Sequence, residues 1–167
     1  MKLYVVRHGI TDSNIRGLVN GRNDEDININ GITQAIRLQH ELLNRNIEIV
    51  ISSPLRRARH TAEILNTTGK PVILDNRIIE RDTGAYMYYP FERLNGKKLD
   101  ELNHYSIEPL ENVRRRVNSF INDIKKYQRN ILVVTHGDVA SLIKENLTNS
   151  EREADPPNCI LLEFDLK

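Results

Sequence analysis

A chain of 167 residues with 39% hydrophobic and 28% charged residues is long enough to bury a core and ordinary in balance for a globular protein. Its formal net charge of +1 excludes a polyanion binder that works through bulk field, so any attraction for anions must be local. The single cysteine, Cys159, excludes an internal disulfide and a multi-cysteine zinc site. No apolar run approaches about 18 residues and no leader pattern opens the chain, so a cytoplasmic protein without a membrane partner is expected.

In chain order, Leu3-Tyr4-Val5-Val6-Arg7-His8-Gly9 comes first. A short apolar run closed by a turn signal is the pattern of a strand covered on both faces. Thr11 and Asn14 follow among polar caps, and Gly21 marks a turn within Asn20–Asp26. Asn30 is predicted to cap a helix with Ile32, Ala35, Ile36, Leu42 and Leu43 on its apolar face. Ile49–Ile51 is a second strand. Ser52 and Ser53 end it and offer an N-cap, with Pro54 in the first turn of a helix carrying Leu55, Ala58, Ala62 and Leu65.

Pro71–Leu74 is a third, short strand, and Glu80 follows on a loop. Between Gly84 and Pro109 no period survives, apart from a short helical turn near Leu99 and Leu102. Leu110, Val113, Val117, Phe120, Ile121 and Ile124 then define a long amphipathic helix. A strand at Ile131–Thr135 and a helix carrying Val139, Ala140, Ile143 and Leu147 continue the alternation. Ile160–Phe164 is the last strand, with Cys159 in the core. The alternation predicts one α/β domain over 1–167, a mostly parallel central sheet flanked by helices on both faces.

Two strands end alike, in Val-Val-Arg-His-Gly at 5–9 and Val-Val-Thr-His-Gly at 133–137. Ligands of such sheets bind beyond the carboxyl ends of the strands, so His8 and His136 are expected to face one crevice. Gly9 and Gly137 would let backbone approach a ligand, and the helix behind Gly137 would offer free N–H groups to an anion. Arg7 and Arg57 carry planar forks suited to phosphate oxygens. A metal site with Glu80 as third ligand is opposed by those two arginines, so no metal is expected. Neutral His8 is the candidate nucleophile, its pKa held down by the arginines, while His136, Arg7 and Arg57 stabilise the transferring group. Glu80, or second to it Asp82, is the candidate acid for the leaving oxygen.

Arg56, Arg59 and Arg114–Arg116 read as solvated helix faces rather than a nucleic-acid patch. Tyr86, Tyr88, Tyr89 and Phe91 form either an aromatic substrate pocket or a loop packing its own rings. No P-loop, Gly-Xaa-Ser-Xaa-Gly elbow or His-Glu-Xaa-Xaa-His motif occurs.

Arg7-His8-Gly9, Ser52-Ser53-Pro54-Leu55-Arg56-Arg57, Ile79-Glu80-Arg81 and Val134-Thr135-His136-Gly137 run in order along nearly the whole chain. In this set the chain resembles the histidine phosphatase superfamily, the phosphoglycerate-mutase-like proteins. The resemblance implies a phosphoglycerate-mutase-like fold, a phosphohistidine on His8, proton donation by Glu80, and no metal or cofactor. Asn14, Gly21, Arg22 and Gly137 stand as substrate contacts beside Arg7, Arg57 and His136. Ile10 and the segment Gly84–Pro90 depart from the family's pattern. The long insertions of cofactor-dependent mutases are missing, which favours hydrolysis. A mutase and a non-catalytic phosphate-ligand binder are the alternatives. The expected partner is a small phosphorylated metabolite or a phosphoprotein, and the oligomeric state is open.

Overall fold

A computed structural model describes residues 1–102 and 104–166; Asn103 and Lys167, within the expected 1–167 span, lie outside the described residues. Five strands form one sheet: β1 (Lys2–Arg7), β2 (Ile49–Ser52), β3 (Ile73–Leu74), β4 (Ile131–Thr135) and β5 (Leu161–Asp165). Their order is β3-β2-β4-β1-β5. All pairings are parallel except β1 with β5, so the sheet is mostly parallel with one antiparallel edge. The helices are α1 (Asp12–Ile15), α2 (Ile29–Leu42), α3 (Arg56–Leu65), α4 (Leu110–Ile124) and α5 (Gly137–Thr148).

Strand periodicity divides the core in two. Leu3 and Val5 of β1, with Ile131 and Val133 of β4, join Val113, Val117 and Phe120 of α4 and Val139 and Ile143 of α5. Tyr4 and Val6, with Leu132 and Val134, point the other way onto Ala35, Leu38 and Leu42 of α2 and Ala58 and Ala62 of α3. The central strands are buried on both faces, which is why they read as unbroken apolar runs.

Several boundaries differ from expectation. Asn28, not Asn30, caps α2, its side chain accepting from the amides of Asn30 and Gly31. The buried residues of α2 are Gly31, Ala35, Leu38 and Leu42, while Ile36 and Leu43, expected on the apolar face, are 45% and 60% exposed. Leu55 is the N-cap of α3, so Pro54 lies just before the helix, and no side chain caps it. The third strand shrinks to two exposed residues at the sheet edge, where only one side of the ladder is paired. Cys159 precedes β5 in a left-handed conformation (φ 54°) and is only partly buried, against the α2–α3 side. Among the described residues no helix is long and apolar enough to cross a membrane.

The stretch 84–109 contains short 3-10 turns at Gly84–Tyr86, Phe91–Leu94 and Leu99–Leu102. Backbone hydrogen bonds stitch it to the loop after α1: Val19 N–H to Tyr89 O at 2.9 Å, Tyr88 N–H to Val19 O at 2.7 Å, and Phe91 N–H to Gly17 O at 2.9 Å.

Two glycines set α2 against the end of β1. A Cβ on Gly9 would lie 2.7 Å from the carbonyl oxygen of Gly31. One on Gly31 would lie 2.9 Å from both the Ile10 amide nitrogen and the Ile27 Cβ. The space at Gly9 is thus filled by helix backbone, not left for a ligand. Helix propensity alone favours Gly31→Ala by about 1 kcal/mol. Overpacking opposes it by roughly 1–3 kcal/mol. Gly31→Ala is therefore expected to lower the melting temperature; a rise would contradict this packing.

Candidate active site

Parallel pairing of β1 with β4 places Arg7 opposite Thr135, so the next residue of each strand is a histidine at the same sheet edge. The His8 amide donates to Thr135 O at 2.9 Å, and the rings of His8 and His136 lie 5.2 Å apart between centroids. Both residues are buried.

His8 Nδ1 is 2.7 Å from the carbonyl oxygen of Gly9. A carbonyl only accepts, so Nδ1 carries the proton and Nε2 holds the lone pair. Arg57 Nε–H donates to that Nε2 at 3.2 Å. Burial first, then the charges of Arg57 and Arg7, hold the His8 pKa well below the usual imidazole value. His136 is lowered in the same way, by burial, then Arg57, then His8. Its Nε2 is 2.7 Å from Ser53 Oγ, and its Nδ1 is buried without a partner. Ser53, expected as a helix cap, chiefly orients this ring.

Arg57 is fully buried behind His8. Its terminal nitrogens donate to Asn23 O at 2.6 Å and Gly21 O at 2.7 Å. Gly21 holds its left-handed turn (φ 50°) where an added Cβ would strike Thr83. Arg7 donates to Pro156 O at 2.8 Å and keeps a buried Nε without a partner. Two unpartnered buried nitrogens, Arg7 Nε and His136 Nδ1, therefore belong to the residues flanking His8. Among the described residues neither nitrogen has a partner, so each is available to an acceptor brought to His8.

A cleft of about 540 Å³ opens over His8, lined among others by Arg7, Asn14, Gly21, Glu80, Asp138 and Asp155. The Glu80 carboxylate accepts from the Arg81 amide at 2.9 Å. Burial, then the carboxylates of Asp138 and Asp155, push its pKa up to about 8. Asn14 caps α1 with Thr11 and lies 3.4 Å from Asn158 Nδ2.

Other expectations fall elsewhere. Arg22 faces away from the cleft: it donates to the Glu80 carbonyl at 3.0 Å and pairs with Glu108 at 3.0 Å. Arg116 joins that network, donating to the Ile79 and Glu80 carbonyls and pairing with Glu108. Asp82 lines a separate surface depression with Arg22 and Glu108. At the start of α5, Asp138 sits in the first turn and the Asp155 carboxylate occupies the space a side chain on Gly137 would need.

Sequence reasoning missed Ser53 in its present role, Asp138, Asp155, Arg152 and Asn158. Asn158 donates to His8 O at 2.9 Å. Arg152 joins Asp138, Asp155 and Asp100. Asp138 could have been suspected from its place directly after His136-Gly137; the residues from 150 to 158 carry no periodicity to announce them. Among the described residues no group of three or more His, Cys, Asp and Glu side chains is disposed to hold a metal ion.

The fold and the paired histidines define a class: the chain belongs to the histidine phosphatase superfamily (branch 1), whose family model matches residues 3–159. It is 31% identical over 149 residues to phosphoserine phosphatase 1 of Hydrogenobacter thermophilus, covering 81% of this chain and 71% of that one. It is 30% identical over 172 residues to the adenosylcobalamin/alpha-ribazole phosphatase of Escherichia coli, covering 92% and 82%. Phosphoserine phosphatase from Entamoeba histolytica, solved with 3-phosphoglyceric acid, superposes with a TM-score of 0.84 at 26% identity, covering 98% of this chain and 90% of that one.

The raised pKa of Glu80 has a consequence for stability. An ordinary glutamate ionises near 4.5, but this one keeps its proton in the folded state to about 8. Between those values the unfolded chain sheds a proton that the folded chain retains, so Glu80 costs increasing stability as pH rises, then a constant amount above. Glu80→Gln removes that cost. Its gain in melting temperature over wild type is expected to be larger at about pH 8 than at about pH 5. An offset independent of pH would place the Glu80 carboxyl in a solvated, unshifted state.

Proposed function

We propose that this chain, acting as one histidine phosphatase domain over 1–167, hydrolyses phosphomonoesters through a phosphohistidine on His8. The observation that carries the reading is the tautomer of His8. Its Nδ1 proton is held by Gly9 O, leaving the Nε2 lone pair beside a buried guanidinium.

In the proposed reaction the Arg57 Nε–H bond to Nε2 passes to a phosphoryl oxygen, the freed Nε2 lone pair attacks phosphorus, and the bond from phosphorus to the leaving oxygen breaks. Glu80, still protonated at neutral pH, gives its proton to that oxygen. Arg57 Nε–H lies beside any phosphoryl group carried on Nε2, and Arg7 and His136 have unpartnered nitrogens to offer its oxygens. With the Ser53 hydroxyl donating to Nε2 of His136, the free proton of that ring sits on Nδ1. Water then attacks phosphorus, Glu80 takes its proton, the bond from phosphorus to nitrogen breaks, and phosphate leaves. Arg22, Arg116 and Glu108 act at one remove, as positioning residues for the Glu80 loop. A small phosphorylated metabolite is the favoured substrate class, because the relatives named above are phosphatases of such compounds.

The test is turnover of phosphate esters in excess chelator. Wild type is expected to release alcohol and phosphate in equal amounts, and His8→Ala to lose at least about a thousandfold in kcat. Undiminished turnover by His8→Ala overturns the proposal; an isomeric ester as product moves it to phosphotransfer. Glu80→Gln is expected to slow alkyl esters by about a hundredfold or more and aryl esters far less, since only a poor leaving group needs the acid. For alkyl esters the wild-type rate falls as pH passes about 8, where Glu80 loses its proton. Equal losses on both ester types remove Glu80 from the role.

A further inference from the structure

One side of the cleft is apolar. Leu18, Val19, Phe91, Leu94, Leu99 and Leu110 line it, in the same cavity as His8 and Glu80. Charged residues also line the cavity, and several of them pair with one another. Arg152 pairs with Asp100 at 3.3 Å and Asp155 at 3.5 Å and also holds Asp138, while Arg81 pairs with Asp100. Arg114 is taken up by Glu145 at 2.9 Å and Glu111 at 2.8 Å. Lys97 and Lys98 also line the cleft, so it sets an apolar surface beside positive charge.

The apolar wall is also held in place. The hydrogen bonds from 88–91 to 17–19 tie down the segment that carries Phe91. Phe91 is nevertheless 52% exposed. The neighbouring tyrosines do not share that position. Tyr86 packs edge-on against Tyr89 and His104, at 5.4 Å from each between centroids. Tyr86 and Tyr89 therefore pack on each other, Tyr88 is exposed outside the cleft lining, and Phe91 is the ring of this segment that lines the cleft. A fixed, half-exposed aromatic ring in a concave apolar wall is a surface for a ligand.

We infer that the cleft favours phosphomonoesters whose leaving group carries a bulky apolar or aromatic body, seated on Phe91 and Leu94, over those with a short alkyl group. The inference rests on the phosphatase reading and refines it. Its volume of about 540 Å³ is in the range that encloses a drug-sized molecule, well beyond what a three-carbon phosphate ester fills. Glu80 lines the same cleft, so a leaving oxygen at Glu80 brings the body attached to it into this cavity.

The test compares propyl phosphate with 3-phenylpropyl phosphate, which share a primary alkoxide leaving group and differ only in the ring. Wild type is expected to favour the phenylpropyl ester by about tenfold or more in kcat/KM, mainly through KM. Phe91→Ala is expected to shrink that ratio at least about fivefold. Phe91→Tyr, which keeps the ring, is expected to hold it. A wild-type ratio near one, or equal losses on both esters in Phe91→Ala, overturns the inference. Calorimetric binding of the two esters to His8→Ala reads the preference without turnover. Preference retained there with no turnover by wild type strikes the phosphatase reading alone; no preference in binding strikes this one.

Discussion

The structure depends on the register between β1 and β4. Because Arg7 stands opposite Thr135, the two strands deliver His8 and His136 side by side, and the His8 amide closes the ladder onto Thr135 O. A slip of one residue would turn Leu3 and Val5 from the α4–α5 side to the α2–α3 side and separate the rings. Burial on both faces of both strands makes such a slip costly. The core therefore fixes the site, and a pocket assembled from residues far apart in sequence stays rigid.

Electrostatics then divides the labour. Burial and two guanidinium charges hold the His8 pKa down and keep its ring neutral. Burial and two carboxylates push that of Glu80 up and keep it protonated. Opposite shifts of this kind are what the proposed nucleophile and acid require of one cleft. Arg57 is central to both: it faces His8 Nε2, and its charge partly offsets the upward shift of Glu80. Backbone carbonyls of Asn23 and Gly21 hold its terminal nitrogens, so a buried cation keeps its hydrogen bonds and one fixed orientation.

Much of this could be read from the chain. The two Val-Val-Xaa-His-Gly segments announced adjacent strands, because covered parallel strands leave unbroken apolar runs. Motif order pointed to Glu80 and Arg57 as candidates; Glu80 lines the same cleft as His8, and Arg57 bonds the His8 ring. The errors have local causes. Asn28 and Asn30 are equally good caps by composition, and Ile36 and Leu43, though apolar, lie outside the arc of α2 that buries Ala35, Leu38 and Leu42. Gly9 and Gly137 looked like room for a ligand, yet Gly31 and Asp155 fill that room. Arg22 sits in a family motif, but its guanidinium is drawn to Glu108 and the Glu80 carbonyl. Asp155, Arg152 and Asn158 lie in irregular backbone, where no period reports what tertiary packing will bring together.

The central claim is that the lone pair on His8 Nε2 is the nucleophile. Acid-sensitive phosphoramidate on a single peptide is its direct signature. The decisive measurement is mass spectrometry of the protein quenched at neutral to alkaline pH during turnover of a phosphate ester. The account predicts one added phosphoryl group, mapped to His8, lost on mild acid treatment and missing in His8→Ala. A phosphoryl group on any other residue, or turnover with no phosphorylated protein under rapid quench, would contradict it.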